Sequence, residues 1–545
     1  MISTGSAATH NVALENSLEP DAPEELFGEI SGLTGAPRSW PKRHGRPDVI
    51  VRKGMLALVN TTLTPHDAMV EDLLFVRRAL IDSAIPFFLI RGNDERPVVV
   101  VDKALRRKLE GALAAACEDE PMYSKTVLKT VRGTKRPPVL VSEGSLSESR
   151  KARIFRVYRP RVEPIGGLTY GSSIGIELQL WSFDDENIIC PVENSLTRQI
   201  LPRSEAIPTT VDLYGVRWNT LRGMFDVQAT DVVFDIDMVF SWVDGNDIEY
   251  QRRRRAQASE YVAGDGDDSD ARYRQIDELK YALRSVYLFA PWVRRIFIAT
   301  DSPKPTWLAE HPRVTFVRSE EFFSDPSVLP THNSQAVESQ LHNIPGISEH
   351  FLYSNDDMFF GRPVQPNMFF SSGGVTKFIE AQTRIGLGEN DLERSGFENA
   401  ARVNRRLLFE KFGRIITRHL EHAAAPLRRS VLTELEREFP DDFARTAASR
   451  FRSSTDISVT NSLYHYYALM TGQAVVQEAA RVRYVDTTQR SGLGMLPGLL
   501  NKRSFDFFCL NDGSYPEVSA EERASIVQLF LEQYFPFAAP WETGE

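Results

Sequence analysis

The 545-residue chain carries 42% hydrophobic and 25% charged residues and a formal net charge of -10, which excludes a disordered polyelectrolyte and argues against a non-specific nucleic-acid binder, whose excess would be basic. Its length exceeds what one hydrophobic core serves, so two or more domains are expected. Cys117, Cys190 and Cys509 are too dispersed for a disulfide framework or a zinc site, and neither a basic leader nor an eighteen-residue apolar run appears; a cytoplasmic protein, or one peripheral on the inner face of the cell membrane, is expected.

Residues 1–45 mix Gly, Pro, Ser and acidic residues without period, which predicts a flexible leader carrying no chemistry. Helical spacing over 67–85, apolar runs at 86–90 and 98–101, a second helical pattern over 103–117 and alternation at 175–181 predict an α/β accessory domain over 50–225. A basic stretch at 125–135 ends at Pro137 and Pro138. No catalytic constellation stands out in this part.

Composition changes near Asp231, where a strand centred on Met238–Phe240 runs into Ser241-Trp242-Val243-Asp244-Gly245. An aromatic face followed by a carboxylate at a strand end suits a base and ribose; a packed Trp in a hairpin turn is the plainer alternative. Four consecutive arginines, Arg252–Arg255, cannot share one helix face, so part of the run is solvated whatever its role, a phosphate contact by one of them being the functional alternative. The acidic, glycine-rich 264–270 lacks the order of an EF-hand and reads as a loop.

A helical pattern over 277–286 and apolar runs at 296–300, 314–317 and 351–353 predict a Rossmann-like βαβ series. Between them, 330–339 opens a helix whose polar N-terminal end suits anions. The run Phe351–Tyr353 ends in Asn355-Asp356-Asp357. Ligands of open α/β sheets collect outside the carboxyl ends of strands, and two adjacent carboxylates repel unless a cation lies between them, so this tip suits Mg²⁺ or Mn²⁺ completed by substrate phosphates. An Asx-rich turn is the bland reading.

Helical spacing returns over 402–416, 426–439 and 459–470, punctuated by His422, Arg452, Asp456 and His465. A lone His or Arg in such a region is more often structural. Phe505–Leu510 forms another apolar run ending in Asn511-Asp512-Gly513, and a closing helix is predicted over 520–534.

Four separated blocks, in order, resemble the Stealth family. The first is Asp235–Gly245; the second runs from Arg274 through Asp277-Glu278-Leu279, Arg284-Ser285 and Pro291-Trp292 to Glu338-Ser339 and Asn355-Asp356-Asp357. The third covers Asn399–Asn404, His422, Glu434–Phe443, Arg452 and Tyr464–Tyr467, and the fourth is Cys509–Gly513. This family holds bacterial capsule and exopolysaccharide phosphotransferases and the eukaryotic lysosomal-enzyme N-acetylglucosamine-1-phosphotransferase.

The resemblance implies a Rossmann-like, glycosyltransferase A-type sheet with a helical addition at about 400–475, within a catalytic domain over 231–545. It also implies Mg²⁺-dependent transfer of an intact hexose-1-phosphate from a nucleotide-diphosphate sugar, a UDP-hexose or UDP-N-acetylhexosamine, to a hydroxyl of a glycan acceptor. Carried over by position, the catalytic set is Glu338, Asp357, His422 and Arg452, with the metal at Asp356 and Asp357. Trp242, Asp244, Gly245, Asn511 and Asp512 are assigned to donor binding. In chemical terms Arg452 reads as the phosphate clamp and His422 as the base, although Asp357 or Glu338 could take the latter role. The rival readings are an ordinary glycosyltransferase releasing the nucleoside diphosphate, and a carbohydrate-binding protein with a structural ion.

Overall fold

Apolar runs too short for helices become strands buried on both faces. In the computed structural model, residues 46–94, 96–127, 137–245, 247–257, 276–513 and 516–543 are described. The expected leader, the loop at 264–270, residues 128–135 of the basic stretch and the side chains of Arg253 and Arg255 lie outside them.

In the first part of the chain, the helix Pro65–Asp82 is capped by Thr64, whose Oγ1 accepts from the Asp67 amide. It packs, with the helix Arg106–Ala116, on an eight-stranded sheet. There Pro97–Asp102 pairs antiparallel with Phe87–Arg91 and parallel with Ile176–Phe183. Val98 to Val101 are essentially inaccessible, as an unbroken apolar strand between two covered faces requires. The predicted helices and strands of this region form. They are not sealed off from the second part of the chain: Ala68, Leu168 and Tyr170 belong to the same core as its strands.

The second part is built on β1 (Ile236–Ser241), after which come α1 (Ile248–Gln257) and α2 (Glu278–Phe289). Next are β2 (Ile296–Ala299), β3 (Val314–Val317), α3 (Ser334–Glu338) and β4 (His350–Asn355). With a later antiparallel strand, β6 (Ala425–Arg428), the sheet order is β3-β2-β1-β4-β6, and β1 to β4 are all parallel. Alternation divides each strand between two cores. Met238, Phe240, Ile298 and Leu352 face one, and Val239, Phe297, Phe351 and Tyr353 the other. After β1 the chain adds β2 and β3 on one side and then places β4 on the other. Strand order therefore reverses between β1 and β4, where a crevice opens at the carboxyl ends.

Beyond β4 lie β5 (Met358–Phe360), α4 (Gly396–Phe412), β6 (Ala425–Arg428), α5 (Arg429–Glu438), α6 (Pro440–Ala448) and α7 (Tyr464–Met470). The helix expected from 426 begins only at Arg429. Residues 425–428 instead pair antiparallel with β4, Pro426 opposite Leu352, and a proline is tolerated there because β6 is an edge strand. Pro440 opens a separate helix, as proline favours a first helical turn. His422 and Arg452 consequently stand on connections, not in helices.

A three-stranded sheet completes this part: β5 pairs antiparallel with β8 (Phe507–Asn511), which runs parallel to β7 (Val482–Asp486). The closing helix α8 spans Ala520–Tyr534.

Candidate functional site

At the reversal point the tips of β1 and β4 stand side by side, Ser241 in register with Asn355. Ser241 Oγ lies 2.7 Å from Tyr353 Oη and 3.3 Å from Asn355 Oδ1. The second sheet brings a third tip to the same place, because the Leu510 amide donates to the Asp357 carbonyl at 3.0 Å. A cavity of about 310 Å³ opens over these tips, with Trp242, Asp356, Asp357, Arg452, Asn511 and Asp512 in its lining.

Five carboxylates line it, Glu278, Asp301, Asp356, Asp357 and Asp512, and all but Asp301 act on one another electrostatically. Glu278 enters from the first turn of α2, its Oε2 accepting from the Ile276 amide at 2.7 Å. Burial pushes the Glu278 carboxyl up to about 7, Asp512 adding to the effect. Asp356 is driven well above the usual carboxylate range by burial and then by Glu278 and Asp357. Asp512 is raised by burial, against the pull of Arg523. Arg523, buried on α8, ion-pairs with Asp512 and donates from Nε to Thr487 Oγ1 at 2.8 Å. Asp357 Oδ2 lies 3.5 Å from the Cys509 thiol. Carboxylates that raise one another in this way are deficient in positive charge.

Among the described residues no three His, Cys, Asp or Glu side chains can hold a metal ion by themselves. Mg²⁺ is ordinarily held by one or two carboxylates and takes its remaining oxygens from phosphate and water. The hard oxygen set at Asp356 and Asp357 fits such an ion.

Arg452 reaches the cavity from the connection after α6, its Nη2 donating to Ser334 Oγ at 3.1 Å. The connection is anchored by Asn333, whose Nδ2 donates to Asp456 Oδ2 at 2.8 Å and whose Oδ1 accepts from the Gln335 amide at the start of α3. Asp456 also accepts from the Ser453 amide at 2.8 Å, and burial pushes its carboxyl up to about 6.

The remaining predicted residues do not line the cavity. Glu338 is buried behind it, its Oε2 accepting from Thr460 Oγ1 at 2.5 Å and its Oε1 from Tyr353 Oη at 3.3 Å; burial raises its carboxyl while Arg452 pulls it down. Asp244 donates its amide to Ser302 Oγ, and the Gly245 carbonyl accepts from Gln251. His422 lies 5.0 Å, ring to ring, from Tyr484 and 6.5 Å from Phe397, and burial lowers its imidazole below its usual range. Trp242 is 6% exposed, so it forms cavity wall and core at once.

Several contributors carry too little local signal to be picked out from sequence. Glu278 lies in the second block of the family resemblance, yet nothing there assigns it a role. Arg523 has no signal of its own, since Glu521-Glu522-Arg523 reads as the solvated face of a helix. Tyr250 also lines the cavity without a signal of its own, whereas Arg254 and His332, which line it too, come from the four-arginine run and the polar helix end singled out in the sequence.

Four family models match the chain in order: Stealth protein conserved region 1 over residues 234–259, region 2 over 272–378, region 3 over 421–469 and region 4 over 497–545. The exopolysaccharide phosphotransferase CpsY of Mycobacterium tuberculosis is 63% identical over 501 residues, covering 92% of this chain and 93% of its own. An exopolysaccharide phosphotransferase of Nocardia farcinica is 53% identical over 480 residues, covering 88% of each chain. One from Streptomyces coelicolor is 37% identical over 529 residues, covering 94% of this chain and 89% of its own. Among solved structures, the galactosyltransferase LgtC with donor and acceptor sugar analogues aligns at a TM-score of 0.29 and 10% identity, covering 56% of this chain and 97% of its own. Among the described residues no helix is long and apolar enough to cross a membrane. With all four regions in order and relatives matched over nearly their whole length, the chain belongs to the Stealth family of phosphotransferases.

Proposed function

We propose that this cavity transfers a hexose-1-phosphate unit from a nucleotide-diphosphate sugar to a glycan hydroxyl, in exopolysaccharide or capsule synthesis, releasing the nucleoside monophosphate. The observation that carries this reading is the meeting, over strand tips at the reversal point, of a buried carboxylate cluster with the guanidinium of Arg452. An acceptor oxygen forms a bond to the phosphorus that bears the sugar. The bond from that phosphorus to the bridging oxygen breaks, the nucleoside monophosphate leaves with that oxygen, and the hydroxyl proton passes to a base. Such a transition state calls for placement and charge neutralisation more than for covalent chemistry.

Mg²⁺ bound at Asp356 and Asp357 would supply neutralising charge to the diphosphate. Arg452, held by Ser334, is oriented to clamp nonbridging phosphate oxygens through its planar fork. Trp242 forms the wall against which the nucleoside rests, with Asp244, Gly245, Asn511 and Asp512 around the donor. His422, outside the lining and packed against Tyr484 and Phe397, is the base that the family resemblance assigns; burial lowers its imidazole and keeps it able to accept a proton. Glu338, buried beside Arg452's field, holds Tyr353 and Thr460 in place behind the tips.

The test is a panel of nucleotide sugars incubated with Mg²⁺ and glycan acceptors, with chromatography of the nucleotide product. Monophosphate release is expected. Diphosphate release would make the protein an ordinary glycosyltransferase, and binding without turnover would make it a carbohydrate-binding protein.

A further inference from the structure

The proposed chemistry uses the strand tips and Arg452 but leaves another part of the lining without a task. Tyr250 on α1, His332 just before α3 and Phe451 after α6 all line the cavity and are half-buried. Their rings pack on one another: His332 stacks on Phe451 at 5.3 Å between centroids and 25° between planes, and Tyr250 meets His332 at 5.1 Å and 68°. Three elements far apart in sequence thus contribute one aromatic wall. Phe451 is joined directly to Arg452, and the His332 amide donates to the Arg450 carbonyl at 2.7 Å, so the wall and the guanidinium share one anchored connection.

We infer that Tyr250, His332 and Phe451 form a stacking subsite for a pyranose ring next to the transferred phosphate. An apolar ring face with hydroxyls around its rim matches such a wall, because aromatic faces accept C–H groups while neighbouring polar side chains take the hydroxyls. Polar partners stand in the same lining at Thr331 and Ser334. This inference rests on the phosphotransfer reading, in which Arg452 holds the phosphate joined on one side to the donor hexose and attacked by a hydroxyl of the acceptor hexose. Both hexoses present the same chemistry.

The experiment is equilibrium binding, which needs no turnover. Titration calorimetry on the full chain with Mg²⁺ compares UDP-N-acetylglucosamine and UDP-glucose with UDP, and separately measures maltotriose, mannotriose and chitotriose. Wild type is set against Tyr250→Leu and Phe451→Leu, with Tyr250→Phe and His332→Phe as ring-conserving controls, each checked for cooperative unfolding.

The inference predicts that a Leu variant binds one sugar-bearing class about tenfold more weakly, leaves UDP affinity unchanged, and is rescued where the ring is kept. Loss confined to the UDP-sugars places the donor hexose on the wall; loss confined to the trisaccharides places the acceptor there. Equal loss for UDP would make the wall a nucleobase platform and overturn the inference, as would unchanged affinity for every probe. Should Phe451→Leu fail to fold, Tyr250→Leu decides alone. If wild type binds none of the UDP-sugars and releases no monophosphate with any donor, the phosphotransfer reading fails instead, a result separable from the behaviour of the variants.

Discussion

Asp357 combines a place in the cavity lining with a backbone fixed from both sides, its carbonyl taking the Leu510 amide and its chain leading straight into β5. Asp357→Asn hardly changes volume but removes one charge from the proposed metal site. We expect kcat to fall by roughly a hundredfold or more with the unfolding midpoint little changed. Near-normal turnover at saturating Mg²⁺ would remove Asp357 from the site.

Arg452 and His422 should fail differently. Arg452→Lys keeps charge and loses the fork, so kcat drops on the order of a hundredfold at every pH. As the proposed base, His422 would act unprotonated, and burial lowers its pKa from 6.5, so wild-type activity should fall only as pH drops below that value. His422→Ala should cost roughly 10²- to 10⁴-fold and abolish that acidic limb. A limb that survives in the variant moves the base to Asp357 or Glu338.

Glu278 makes a prediction about stability. Its folded pKa of about 7 exceeds the ordinary 4.5, so the folded state holds the extra proton between those values and wild-type stability declines as pH rises through that window. The loss amounts to roughly 3 kcal/mol for the metal-free protein. Glu278→Gln retains an acceptor for the Ile276 amide without the charge. Its melting temperature should exceed wild type's at pH 8, and the advantage should vanish toward pH 4.5; equal melting curves at pH 8 would show that the cluster does not strain the fold.

Among the elements, the legible ones were those whose local signal matches their final environment. Phe351–Tyr353 and Met238–Phe240 are apolar on every residue because parallel central strands are buried on both faces, and α8 forms over the predicted residues because apolar spacing and the Ser519 cap agree. What stayed hidden was pairing. Phe507–Asn511 reads as a strand, but nothing local says that it pairs with β5 and so lays Asn511 and Asp512 beside Asp356 and Asp357. Residues 425–428 continue a helical pattern and yet form an edge strand, since a free edge of β4 outweighs weak propensity.

The turn after β8 offers a test at this scale. A Cβ on Gly513 would collide with the carboxylate of Asp486, which is already fixed by the Thr488 amide and hydroxyl at the end of β7. Gly513→Ala should therefore displace Asp512 from Arg523 and the cavity. The expected signature is a several-fold weaker apparent affinity for Mg²⁺ with secondary structure intact by circular dichroism. An unchanged metal dependence would mean that the β8 tip plays no part in the site.

At the scale of the whole molecule, the change in composition near Asp231 falls just ahead of β1, in the five-stranded sheet, but does not mark where a core ends. Ala68, Leu168 and Tyr170, at most 5% exposed, sit in the core that contains Met238, Phe240, Leu352 and the aromatic residues of β5 and β8. The Gly166 backbone lies so close to α8 that a Cβ there would collide with the Gln533 carbonyl. Arg91 grips Asp231 through two hydrogen bonds of 2.5 and 2.7 Å. The first part of the chain thus serves as a wall for the core behind the cavity, a task that calls for no catalytic residue of its own. Cutting it away would expose the apolar faces that these residues cover. At about 1.5–3 kcal/mol for each large side chain returned to water, the loss is a substantial fraction of the roughly 5–15 kcal/mol typical of a folded domain. A fragment of residues 226–545 should consequently unfold in urea at a markedly lower midpoint than the full chain, or lack a cooperative transition, and should show no phosphotransfer. If the fragment instead unfolds cooperatively at the full chain's midpoint and keeps its activity, the first part is a separate domain and the shared core contributes little.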